Sequence, residues 1–122
     1  MRKLVGVYHC GGRNVKLFWR RGEGGEFVVA PSKGGIPEIT VGIDGDFWAD
    51  VVAWLMHEAA EMAAYDLSCR WTPSPDFSYE SSGYLFVMNH NQFSDVLARA
   101  AMLISKALPD LATIYKKQRR SA

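Results

Sequence analysis

Ten of the eleven glycines in this chain fall within its first 45 residues, and the doublets at 11–12, 24–25 and 34–35 punctuate short apolar or alternating runs. Gly-Gly pairs supply the positive φ that tight hairpin turns demand, so this half of the chain is confined to short strands and turns. Four strands are predicted: KLVGVYH (3–9), NVKLFWRR (14–21), EFVVA (26–30) and EITVGI (38–43). The simplest connection of the four is an antiparallel β-meander.

From residue 47 the apolar period lengthens to that of a helix. FWADVVAWLMHEAAEMAAYDL predicts one long helix, with Asp44 or Asp46 as its N-cap. SCRWTPSPDFSYESSG (68–83), with two prolines and five serines, is a connection long enough to serve a function. YLFVM (84–88) predicts a short strand, and NHNQ (89–92) has the form of a capping box, Asn89 as cap and Gln92 reaching back, opening a second helix. Pro109 is expected to break that helix, with Asp110 capping a short final one. The resulting expectation is an α+β fold, a four-stranded meander followed by helix, strand and helix packed on one sheet face. With 122 residues the chain is expected to be a single domain: β-rich over 1–45, helical and mixed over 46–115, and a basic tail over 116–122.

Net charge is only +1, but its distribution is uneven. Residues 1–21 carry six bases and no acid, and KKQRR (116–120) adds four bases. Residues 22–115 hold all thirteen acids against Lys33, Arg70, Arg99 and Lys106, and the stretch 44–66 has six carboxylates and no Lys or Arg. Either the basic ends fold back onto the acidic middle, or surfaces of opposite sign meet different partners. The N-terminal apolar run is too short for a signal peptide or a membrane span, so a cytoplasmic location without membrane contact is expected. Cys10 and Cys69 form no CxxC pair and are expected to be reduced thiols.

The chemically loaded stretch is WLMHEAAEMAAY (54–65). In a helix His57 and Glu61, four apart, stand on one side and can reach one ion, while Glu58 lies about 100° round the axis. HEAAE resembles the active-site helix of zincin-type metalloproteases, HExxH, with Glu61 in place of the second His. The EITVGI strand before the helix fits that resemblance, which covers five motif residues and this strand-to-helix context. It implies His57 and Glu61 as metal ligands, Glu58 as the general base of a metal-dependent hydrolase, and a third ligand from later in the chain, for which His90 is the candidate. Two His and one carboxylate suit zinc, iron or manganese. A narrow polar sector on an apolar helix is also what faces water, and the sequence leaves both readings open.

Other constellations are sparser. In NVKLFWRR alternation sends Lys16, Phe18 and Arg20 to one face, a cationic strip with one aromatic of the kind that binds single-stranded nucleic acid. Cys10 and His57 would be a thiol and a base, but Cys10 does not open a helix that would lower its pKa. No glycine loop is followed by a helix start, so phosphate binding of that type is unsupported. Trp71, Phe77 and Tyr79 in the long connection suit a protein partner. Since no complete catalytic set is legible, the leading expectation is a small interaction protein that binds another macromolecule or its own copy. Its surface would be the acidic helix face and that aromatic loop. Metal binding through His57, Glu58, Glu61 and His90, and nucleic-acid binding through Lys16, Phe18 and Arg20, are the alternatives.

Overall fold

A computed structural model describes residues 1–29, 35–43, 47–71 and 85–121. The strands are β1 (Lys3–Cys10), β2 (Arg13–Arg20), β3 (Gly25–Val28) and β4 (Glu38–Gly42). They are followed by helix α1 (Trp48–Asp66), the two-residue strands β5 (Arg70–Trp71) and β6 (Leu85–Phe86), and helix α2 (His90–Ser121). The class is α+β, with both helices packed on the four-stranded sheet: α1 lies against β3 and β4, α2 against β1, and the helices against each other. Among the described residues no helix is long and apolar enough to cross a membrane.

The sheet is not a meander. Its order is β1-β2-β4-β3, and β4 runs parallel to β2 with Lys16 beside Glu38 and Arg20 beside Gly42. Burial explains the order. All five residues of β4 are buried, the pattern of a strand covered on both faces and paired on both edges. β3 is short and carries the exposed Glu26, a charge suited to an edge. After β2 the chain therefore steps past the place that β4 will fill. Gly22 (φ 108°) and Gly24 (φ 78°) make that step possible. The turn then closes on β4: the Gly42 N–H donates to the Gly24 carbonyl (2.7 Å) and the Ile43 N–H to that of Arg20 (2.8 Å).

Val15, Leu17 and Trp19 of β2, Ile39 and Val41 of β4, and Tyr8 and Cys10 of β1 form the sheet's side of the core. Val51, Leu55, Ala59 and Met62 close it from α1, and Ala100, Leu103, Ala107, Leu111 and Tyr115 from α2. That last stripe explains why Pro109 does not break α2. A proline inside a helix costs about 3 kcal/mol, while burying each large apolar side chain returns about 1.5–3 kcal/mol. Leu103, Leu111 and Tyr115 flank Pro109 on the core face, whereas Pro109 and Ser105, whose carbonyl loses its donor, are exposed. KKQRR is consequently the last turns of a helix and not a separate tail. Asp110, instead of capping a helix, accepts a hydrogen bond from the Tyr8 hydroxyl (2.6 Å).

Both helix starts can be compared with expectation. At α2 the capping box is made: the Gln92 N–H donates to Asn89 Oδ1 (2.8 Å) and the Asn89 N–H to Gln92 Oε1 (2.9 Å). At α1 the cap residue is Phe47 with no side-chain bond, and Asp44 and Asp46 lie outside the described residues. The C-terminus of α1 closes through Ser68, whose φ of 59° is left-handed, with the Cys69 N–H donating to the Ala64 carbonyl (2.7 Å). Charge partly folds back on itself: Arg2 pairs with Glu38 (2.6 Å) and Arg13 with Asp66.

Two substitutions test this account in urea melts. A Cβ at Gly42 would overlap the Gly22 carbonyl oxygen, which is backbone and cannot swing away. Gly42→Ala should therefore lose about 1–3 kcal/mol or more. Ser68→Gly should gain up to about 1 kcal/mol by relieving the left-handed strain; a loss would place the Ser68 side chain in a stabilising role.

Candidate metal centre

The sequence places His57, Glu58 and Glu61 on one helix, and tertiary packing decides how each is held. His57 remains largely exposed (side chain 69%), whereas Glu58 is turned inward onto the core stripe of α1 and is 5% exposed. It fits because β3 presents Gly25 there: a Cβ at that position would stand 3.0 Å from Glu58 Cγ. Glu61 is nearly buried and is fixed from the far side by Arg70 of β5, whose Nη1 lies 2.9 Å from Glu61 Oε1. Arg70 in turn packs over the rings of Tyr65 (5.1 Å) and Phe27 (5.4 Å). The Ser68 turn delivers it there, two residues after a left-handed step reverses the chain.

The remaining atoms converge. His57 Nε2 lies 3.5 Å from Glu61 Oε2 and 3.6 Å from Glu58 Oε1, and one donor atom from each of the three residues falls within 4.8 Å of the others. This cluster could hold a metal ion. Glu58 Oε2 is buried and has no hydrogen-bond partner among the described residues. Burial pushes the Glu58 carboxyl up to about 7, Glu61 and Glu26 push in the same direction, and His57 and Arg70 oppose them. A buried carboxylate without a donor is costly and resolves either by taking a proton or by gaining a cation.

Beside the cluster lies an open apolar groove of about 240 Å³. The small side chains Ala60 and Ala64 of α1 form its floor, and Phe93, Val96 and Leu97 of α2, Phe86, Met88 and the donors His57 and Glu61 complete its lining.

The other predicted residues are dispersed. His90 is exposed at the first position of α2 and is not among the three gathered donors. Lys16, Phe18 and Arg20 do share the sheet face opposite the helices. There the Arg2 guanidinium stacks on the Phe18 ring (3.8 Å), and Arg20 donates to the carbonyls of Arg21 (3.2 Å) and Glu23 (3.0 Å). Trp71 is exposed, and Phe77 and Tyr79 lie outside the described residues. Cys10 is a core residue whose thiol burial pushes up, the reverse of what a nucleophile needs. Gly25, Arg70 and the apolar residues that line the groove were not anticipated. Arg70 alone left a trace, being the first base after the acid-only stretch 44–66.

Because the folded-state pKa of Glu58 is raised above its unfolded value, the native state holds a proton that the unfolded chain releases. Between about pH 4.5 and 7 the metal-free protein should therefore lose stability as pH rises, by roughly 3 kcal/mol in all, and level off above. Glu58→Gln should flatten that slope and melt higher than wild type at pH 8; parallel pH profiles for the two proteins would refute the assignment.

Compared with known proteins, the chain matches no family model, no curated protein and no solved structure, so its functional reading rests on this cluster and not on kinship.

Proposed function

We propose that the protein binds a divalent metal ion through His57, Glu58 and Glu61. The observation that carries this reading is the buried Glu58 carboxylate, whose Oε2 lacks a partner among the described residues while its Oε1 faces His57 and the carboxylate belongs to the three-donor cluster. Two carboxylates balance the charge of a dication, and a mixed imidazole–carboxylate set is suited to zinc, iron or manganese. Arg70 would orient Glu61 by holding its second oxygen, as outer hydrogen bonds orient metal-bound carboxylates elsewhere. In the zincin arrangement Glu58 would act as a base and His90 as a ligand. Here Glu58 stands with the donors, so metal binding is proposed and no reaction is assigned.

The reading is preferred to a nucleic-acid face because Phe18 is already stacked by Arg2. It is preferred to the interaction surface made of the acidic helix face and the aromatic loop because two carboxylates of that helix face, Glu58 and Glu61, are turned in from the surface.

Metal content of protein purified without a His tag or chelator tests it directly. Wild type should retain or take up one zinc or manganese per chain and gain about 2.7 kcal/mol of stability when free metal is a hundredfold above Kd. His57→Ala, at an exposed position, should fold normally and lose both effects. Identical metal content and melting in the two proteins would overturn the proposal. Affinity should rise with pH through 7 as Glu58 gives up its proton.

A further inference from the structure

The groove beside the cluster is a feature that metal binding alone does not require. It shares His57 and Glu61 with the donor set, so a molecule seated in it lies beside the donors. Its floor is open because α1 carries alanine at 60 and 64, on the same helical stripe as His57 and Glu61. Its lining includes side chains that solvent would otherwise reject: Phe93 and Leu97 are about half exposed, and so is Phe86. The volume of about 240 Å³ falls below the roughly 300–1,000 Å³ of sites for drug-sized ligands, and so fits a single large apolar group.

Resting on the metal reading, we infer that the groove and the cluster form one site for a small ligand with an apolar acyl chain joined to an oxygen donor. The apolar group lies on Ala60 and Ala64 against Phe93 and Leu97, and the oxygen end points toward His57 and Glu61. The three protein donors all come from one helix, α1, so further positions around an ion are left to an added oxygen ligand.

The test compares acetohydroxamate with hexanohydroxamate, which share a metal-binding head and differ by four methylenes, on zinc-loaded protein by calorimetry. Each buried methylene is worth about fourfold in affinity, so hexanohydroxamate should bind roughly a hundredfold tighter if most of its chain enters the groove. Ala60→Leu fills the floor and should bring the two probes to within about threefold, with zinc stoichiometry unchanged. Leu97→Asn, at an exposed position, should narrow the gap without affecting folding. Zinc bound with no chain-length preference, or a preference that neither variant reduces, would overturn the groove assignment and leave the metal reading intact. Absence of zinc binding would overturn both. A dimer in sedimentation that excludes hexanohydroxamate would assign the groove to a second copy instead.

Discussion

β4 runs beneath the Gly22–Glu23 peptide, and Gly42 is the residue that leaves room for it. That close approach fixes the sheet. It lets the most buried strand occupy a position paired on both edges, parallel to β2, and it pushes β3 outward to the rim. With β3 at the rim, Gly25 lies over α1 and admits the Glu58 side chain, while Phe27 meets the Arg70 guanidinium. Were the strands ordered as a meander, β3 would lie inside the sheet and α1 would meet a different edge. The arrangement around Glu58 is thus a consequence of strand order.

The cluster shows how a helix can hold neighbouring ionisable groups in unlike surroundings. His57 faces water, Glu61 is clamped by a cation, and Glu58 is buried with an unsatisfied oxygen. Only the last is energetically anomalous. An unpaired buried carboxylate opposes folding, and a structure keeps one at a cost that small proteins, stable by about 5–15 kcal/mol, feel strongly. A proton relieves that cost in acid, and a cation would relieve it at neutral pH. The two routes compete for the same oxygen atoms, which couples stability, pH and metal affinity in one residue.

α2 makes the complementary point about local rules. The Asn89–Gln92 capping box is a contact between residues three apart, made by atoms that need no other part of the protein, and it forms as the sequence implies. Pro109 is an equally local signal, yet the helix passes through it. The difference is burial: the core stripe on either side of the proline is worth more than the lost hydrogen bond, and the lost bond faces solvent. A break signal on an exposed face is weaker than the same signal on a buried one.

The glycine-punctuated strands, the long helix carrying HEAAE and the capped second helix are legible from the chain because each depends on spacing within a few residues. So is the placing of His57 and Glu61 on one side of α1, since helical geometry alone puts residues four apart together. Strand order, the burial of Glu58, the arrival of Arg70 at Glu61 and the groove between α1 and α2 are not legible in this way. Strand order, the burial of Glu58 and the groove join segments distant in the chain, and the Arg70–Glu61 pair, nine residues apart, depends on the left-handed turn at Ser68. EITVGI alternates apolar with polar or glycine residues, the pattern of a half-buried strand, so its central place in the sheet was not written in its own residues. The sequence by itself determined which groups could meet one ion, and only the tertiary structure decided that one of them would be buried with an oxygen left unpaired, because that required β3 at the sheet's rim.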